Sequence, residues 1–544
     1  MAPSKNPNIK LTRNKIKDFF SSKKLKELMM LAAIFIFSLI IRWMAVDHGF
    51  PLLTHPDEPA IIDPVYNMSL NRNLNPGVFY RPDQILYLLN FFFLNMLSLL
   101  KFGQNMAATF ISNQLFFYYY SRLMISVFGS LIPVVAYWIG KEIKSKALAF
   151  PTAIVFALFP LYLKHSLYIT PDIPITLFSL LIILLTLLYL NRNDEKFMYF
   201  AVIFTAFNTA EKYPGLISLS IVFMGMVLKY LEDPELTFKR DWLKFVLQGI
   251  KYLLVYISTL IITTPYLFIE HTKVIQSLIQ ESRSTHLGAD NLGWGGNLIY
   301  YIQNFASWTN VLAVLFICIG ILALLKWRNN HTLLLFYGGL YWILLSKLSL
   351  HWERWGLPTH ITPLFLIAMG ITYAWQQTKK RPIMNYFSIA IISGFFLYQF
   401  IFTIHTPIRM SFTDTRLTSL DYCREQGITA ENTYFEGYTP LFPQSPKTIF
   451  NINMNESEAF DYIILSSYMF ERFYAESLRF EQQVNYYEGV RIGHQLIEKF
   501  KPDPQPANIL DRVDDIVYYM MDQLDLTNEI HYTGPVIEIY QIVN

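Results

Sequence analysis

Charge is scarce in this chain. Asp, Glu, Lys and Arg make up 16% of its 544 residues, where a soluble domain carries about a quarter. That shortage excludes an ordinary water-soluble enzyme. Net charge is also nearly absent, at +3, so nothing points to a nucleic-acid partner. There are two cysteines. Cys318 falls in an apolar run and Cys423 in the polar C-terminal region, in different compartments of the topology below, so no internal disulfide is expected. No internal repeat or low-complexity tract is found. No small-residue cleavage site follows the basic N-terminus, so a cleavable signal peptide is not expected.

Apolar sequence is what the chain has in quantity. It is 53% hydrophobic, with 44 Phe and 35 Tyr. Apolar stretches of roughly 18–20 residues recur, the length a helix needs to cross a bilayer. The chain reads as a polytopic α-helical membrane protein. Residues 1–27 carry eight Lys/Arg, and the positive-inside rule makes this tail cytoplasmic. A first span is expected at 28–46. Others are expected at 117–139, 147–163, 173–190, 197–211, 214–231, 247–266, 308–327, 332–349, 358–376 and 384–404, about eleven in all. The basic loops Lys141/Lys144/Lys146, Arg192/Lys196, Lys239/Arg240/Lys244, Lys326/Arg328 and Lys379/Lys380/Arg381 then all fall on the cytoplasmic side. A crossing at 84–102 would move every later basic loop outside. That stretch is therefore expected to lie in the outer interface, or to dip in and return.

The tail 405–544 is polar and alternates strand-like runs (Tyr462–Leu465, Val536–Val543) with helix-like ones (Thr415–Gln426, Glu471–Asn485). It is expected to be a small α/β domain on the outer side, giving three parts: a cytoplasmic tail 1–27, a membrane domain 28–404 and an exported domain 405–544. The same topology puts the sequons Asn67-Met68-Ser69 and Asn455-Glu456-Ser457 outside.

Ionisable groups at a membrane edge are costly and usually mark a working site. The outer loops collect them. Thr54-His55-Pro56-Asp57-Glu58 follows the first span, with Asp63, Arg72, Arg81 and Asp83 after it. Lys164 to Asp172 precedes the span at 173. Glu211-Lys212-Tyr213-Pro214-Gly215 forms the next outer turn. Glu270, His271, Glu281, Arg283 and His286 share a long loop with Leu292-Gly293-Trp294-Gly295-Gly296, and His351-Trp352-Glu353-Arg354-Trp355 comes later. Carboxylates supply general bases, and cations stabilise a phosphate leaving group. The mixture suits a reaction between a hydroxyl-bearing acceptor and an anionic, lipid-borne donor.

His-Pro-Asp-Glu after span one, Tyr168-Ile169-Thr170-Pro171-Asp172-Ile173-Pro174 before a Leu-rich span, and Lys212-Tyr213-Pro214-Gly215 together resemble the GT-C fold glycosyltransferases. The nearest group is family 39 with its bacterial relatives, the protein O-mannosyltransferase, aminoarabinose-transferase and lipid-A-sugar-transferase-like proteins. Pro265-Tyr266-Leu267-Phe268, then Glu281 and His286-Leu287-Gly288, resemble a further feature of the bacterial members. The resemblance covers about residues 28–376. It implies an inverting transfer of sugar from a polyprenyl-phosphate donor, with Asp57 as base, Glu58 as its partner and Asp172 as a second acid. Lys212, Arg354 and Arg122 would meet the donor phosphate, and His55, Glu281 and His286 would line the substrate loop. The late loop departs from the family's Arg-Tyr pattern, reading Arg354-Trp355-Gly356-Leu357-Pro358.

Structural roles compete with each assignment. His-Pro-Asp-Glu can cap a helix, and so can Asp172. Lys212 can form a local pair with Glu211. A metal held by His55, Glu281 and His286 has no supporting spacing, so no metal or other cofactor is expected. The expected partners are the lipid-linked sugar, the bilayer, and an acceptor protein, lipid or glycan. The alternative function is a transporter or flippase of a lipid-linked saccharide. A bacterial cytoplasmic membrane is the expected location, with the endoplasmic reticulum second, the N-terminus inside and the C-terminus outside.

Overall fold

The computed structural model describes residues 23–144, 146–233, 238–281, 292–348, 350–441 and 460–543. The apolar runs form helices α1 (Lys23–Trp43), α2 (Pro59–Asn71), α3 (Gln84–Phe102), α4 (Gln114–Lys144), α5 (Lys146–Ala157), α6 (Asp172–Arg192), α7 (Glu195–Glu211), α8 (Leu219–Glu232), α9 (Phe238–Thr263), α10 (Gly293–Ser307), α11 (Val311–Trp327), α12 (Ile361–Thr378) and α13 (Pro382–Ser411). Among the described residues seven helical segments are long and apolar enough to cross a membrane, or eight if the α10–α11 pair, bent by 112°, is one span. The expected spans all fall on helical segments, but several are short. α5 has 12 residues, and 332–349 is a 3₁₀ stretch, Asn330–Phe336, joined to a nine-residue helix, Tyr337–Leu345.

Side-chain pairs sort the loops to the two ends of this bundle. At one end Glu27 meets Lys141 and Lys146, Glu142 meets Arg192, Asn329 donates to the Ile143 carbonyl, and His331 meets Glu232. These are the loops and flanks that the sequence grouped by their basic residues. At the other end α1 meets α4: Trp43 donates to the Tyr119 hydroxyl.

α3 has the length of a span, but its neighbours place it differently. Just before it, the Asp83 amide donates to the Glu211 carbonyl at the end of α7, 3.0 Å away. Its last residue, Phe102, packs edge-on against Phe116 in the first turn of α4. Midway, Asn90 accepts from Ser121 at 2.6 Å. All three partners belong to one end of the bundle, so α3 runs along that end. Its single unbroken helix excludes the version that dips in and returns.

Residues 413–543 hold a four-stranded sheet of β1 (Thr433–Phe435), β2 (Tyr462–Ser466), β3 (Gln495–Phe500) and β4 (Ile537–Gln541), in the order β1-β2-β4-β3. β1 and β2 are parallel, and both contacts of β4 are antiparallel. Helices α14 (Thr415–Glu425), α15 (Ser467–Ala475), α16 (Glu481–Gly493) and α17 (Ile509–Asp522) accompany it. Two apolar clusters, one with Ile463, Leu465, Phe473 and Tyr487 and one with Cys423, Ile464 and Ile539, fill its faces. The alternation of strand residues between two buried faces explains why the run reads as a strand. Asp414 caps α14 by accepting from the Arg416 amide. This region is tied to the bundle. His405 and Arg409 of α13 both reach Asp515 of α17, and the Arg416 guanidinium donates to the Thr54 carbonyl at 2.9 Å.

Candidate active site

A cavity of about 870 Å³ opens where the membrane bundle meets the C-terminal region. Asp57, Arg81, Lys212 and Arg354 line it. Asp57 lies in the loop between α1 and α2, ahead of Pro59, which opens α2. Its carboxylate is 2.5 Å from Arg354 Nη1 and 3.7 Å from Arg81 Nη1. Burial pushes that carboxyl up, but Arg354 and then Arg81 outweigh burial and hold it below its ordinary 3.8. It stays ionised at neutral pH.

Asp172 is the first residue of α6, where the helix dipole favours an acid. It does not serve as a side-chain cap. One oxygen is 2.6 Å from Lys212 Nζ, and the other is 3.8 Å from Arg354 Nε. Arg354 thus bridges the two aspartates. Lys212 follows the last residue of α7 in extended conformation, so the chain breaks there and aims its side chain into the cavity, 5.1 Å from the Trp355 ring. Gly215 makes that break possible: a Cβ would sit 2.0 Å from the Asn208 carbonyl oxygen. Burial lowers the Lys212 ammonium, with Asp172 opposing. The competing local pair with Glu211 does not form. Glu211 turns the other way and accepts from the Leu86 amide at 2.9 Å.

Asp172 reaches the cavity only through Lys212 and Arg354, and Glu58 and Arg122 are paired away from its lining. Glu58 and Arg122 are each 0% exposed and form a two-pronged pair, at 2.8 and 2.7 Å. Arg122 also donates to the carbonyls of Val46 and His48, and Glu58 accepts from the Ile169 amide at 3.2 Å. Fully buried, outside the cavity lining and with four of its five N–H groups bonded inside the protein, Arg122 does not meet a donor phosphate in this arrangement, and Glu58 pairs with Arg122 rather than with Asp57. Glu58 occupies the position before α2 but makes no side-chain cap. The pair instead ties the Asp57 loop to α4 and to the segment before α6.

His55 packs on Tyr168, with ring centroids 4.3 Å apart, and accepts from the Asp57 amide at 3.3 Å. Burial pulls the imidazole down to about 3, so it is neutral and able to accept. It supports the loop and does not line the cavity. Glu281 ends a helix, His271–Glu281, in the described residues, but its side chain, like all of His286, lies outside them. Among the described residues no three His, Cys, Asp or Glu side chains are grouped to hold a metal ion.

Sequence reasoning named Arg81 without giving it a role. Arg81 lines the cavity, is 2.6 Å from Asp83 and faces Asp57. Its available signal was the Arg-Pro-Asp run directly before α3. Tyr438 and Arg472, from the C-terminal region, also line the cavity. Nothing in the sequence linked them to residues about four hundred positions earlier.

A family model described as dolichyl-phosphate-mannose-protein mannosyltransferase matches residues 93–278. This segment includes Arg122, Asp172 and Lys212, and excludes Asp57 and Arg354. No curated protein matches the chain in sequence. Several solved structures are similar. ArnT from Cupriavidus metallidurans in the apo state is 12% identical at a TM-score of 0.48, over 75% of this chain and 73% of that one. Its undecaprenyl phosphate-bound form is 12% identical at a TM-score of 0.45, over 94% and 98%. The Archaeoglobus fulgidus oligosaccharyltransferase AglB, with an inhibitory peptide and a dolichol-phosphate, is 11% identical at a TM-score of 0.49, over 95% and 89%. Over residues 93–278 the chain is similar to the dolichyl-phosphate-mannose-protein mannosyltransferase family model, in accord with the family-39-like GT-C resemblance of its motifs.

Proposed function

We propose that the protein is an inverting membrane glycosyltransferase that moves a sugar from a polyprenyl-phosphate donor to an acceptor hydroxyl, on the extracytoplasmic side of a bacterial cytoplasmic membrane. One observation carries the reading. A single cavity holds an ionised aspartate, Asp57, beside two cations that share a second aspartate, Arg354 and Lys212. Leu278, Leu345 and Leu348 supply an apolar wall of the same cavity, suited to the first isoprene units of a lipid carrier.

In the proposed reaction the acceptor oxygen bonds to C1 of the sugar as the C1–O bond to phosphate breaks. The electron pair leaves on the phosphate, and the hydroxyl proton passes to Asp57. Arg354 and Lys212 meet the negative charge that develops on the leaving oxygen. Engaging a phosphate draws Arg354 away from Asp57. That removes the main influence holding its pKa down, so the carboxylate becomes a better base when donor is present. Asp172 keeps both cations in place between turnovers.

The family match of residues 93–278 supports the reaction class. The test is reconstitution of the purified protein with radiolabelled sugar on undecaprenyl or dolichyl phosphate. Release of free polyprenyl phosphate, dependent on acceptor, is expected. Movement of the labelled lipid between leaflets with its sugar bond intact would refute transfer in favour of a flippase.

A further inference from the structure

Five cations line the cavity: Arg81, Lys212, Lys347, Arg354 and Arg472. Among the described residues three of them have carboxylate partners, namely Asp83 for Arg81, Asp172 for Lys212, and Asp57 with Asp172 for Arg354. Lys347 and Arg472 have none there. A cation that faces a cavity without an acid leaves its charge available to a ligand.

Arg472 is built into place. It stands on α15 of the C-terminal region. Its Nη2 donates to the Tyr438 hydroxyl at 3.1 Å, and its guanidinium lies 5.1 Å from the Tyr438 ring and 5.5 Å from the Trp352 ring. Aromatic faces hold a guanidinium without neutralising it. Tyr438 itself has a φ of +62°. A bulky side chain in that region is strained and persists only where surrounding contacts impose it. Its edge contact with Tyr468 and its bond to Arg472 are such contacts. Trp352 belongs to the same short loop as Arg354, so the C-terminal region grips the segment that carries a donor-phosphate cation.

We propose that Arg472 and Lys347 form a second oxyanion subsite that binds a phosphate or carboxylate of the acceptor, so that the C-terminal region helps select which acceptor reaches Asp57. The proposal rests on the transferase reading, which assigns Lys212 and Arg354 to the donor. The same chemistry can come from the second phosphate of a diphosphate-linked donor, and the experiment separates the two sources.

The full chain in detergent is titrated with inorganic phosphate, undecaprenyl phosphate and undecaprenyl diphosphate, as wild type, Lys347→Gln/Arg472→Gln and Lys212→Gln. Two classes of inorganic phosphate site are expected in the wild type. The double variant should weaken one of them by about tenfold or more, since two charge-assisted contacts are lost, and bind both undecaprenyl lipids as the wild type does. Arg472→Lys, with charge retained, should recover most of the loss and reveals whether the site was merely unfolded. A single phosphate class in the wild type, or two classes unchanged in the double variant, overturns the subsite. Selective loss of undecaprenyl diphosphate affinity overturns its assignment to the acceptor. Failure of undecaprenyl phosphate to bind the wild type, or to be weakened by Lys212→Gln, counts against the donor reading alone.

Discussion

Asp57→Asn isolates the proposed chemistry, because Asn keeps the shape and removes the proton-accepting charge. A positioned general base contributes about 10²–10⁴ in rate, so kcat should fall by that factor. The same change frees Arg354, whose 2.5 Å partner becomes neutral. Both side chains of that pair are about one-fifth exposed (22% and 21%), and a partly solvated pair is worth up to about 1 kcal/mol. Donor phosphate affinity should therefore hold or tighten, by at most about fivefold. The assay is acceptor-dependent release of polyprenyl phosphate, run beside direct binding of the lipid phosphate to the purified variant. A large fall in kcat with intact or tighter donor binding is the expected pair of results. Transfer at the wild-type rate refutes the base assignment. Loss of donor binding together with rate shows that Asp57 organises the cation cluster and does not act as a base.

Three further predictions follow from the same geometry. Arg122→Met should destabilise the protein by about 3–5 kcal/mol, since it leaves the fully buried Glu58 without its partner; Glu58→Met/Arg122→Met should recover much of the loss in thermal unfolding, and an unshifted Arg122→Met would show that the pair braces nothing. Lys212→Ala should raise the donor KM more than it lowers kcat, and should leave Asp172 with only the 3.8 Å contact to Arg354; unchanged donor KM would remove Lys212 from the phosphate site. Asp57 has a folded pKa below its unfolded one, so its contribution to stability is complete above the ordinary value of 3.8 and is lost as pH falls through the depressed one. Free-enzyme kcat/KM should accordingly show no acid limb due to Asp57 between pH 5 and pH 7, on the ordinary scale of carboxyl titration near 4, and a midpoint in that window that vanishes in Asp57→Asn would contradict the charge environment described.

Membrane character, the helical segments and the polar tail could be read from the sequence, because each is a local property. Runs of apolar residues bury no charge, and strand alternation marks two buried faces in the tail. The placement of α3 along one end followed from counting basic loops, and the contacts at Asp83, Asn90 and Phe102 agree with it. Asp57, Asp172, Lys212 and Arg354 were named from motifs, and they meet within one network. Glu58 and Arg122 could not be placed in the same way. An acid beside another acid, and an arginine within a tyrosine-rich helix, carry no sign of whether they face a cavity or each other. Their mutual bonds, together with the Val46 and His48 carbonyls, occupy four of the five guanidinium N–H groups of a fully buried arginine, and only three-dimensional proximity across 64 positions decides that.

The sequence by itself determined which segments prefer hydrocarbon, which loops carry charge, and which side chains can accept a proton or hold a phosphate, because transfer free energy and side-chain chemistry belong to individual residues. The tertiary structure alone decided which charges cancel and which remain available. Pairing energy depends on distances between groups remote in the chain, such as Asp57 with Arg354. For the same reason only the folded molecule brings Tyr438 and Arg472 of the C-terminal region to the cavity rimmed by the first loop.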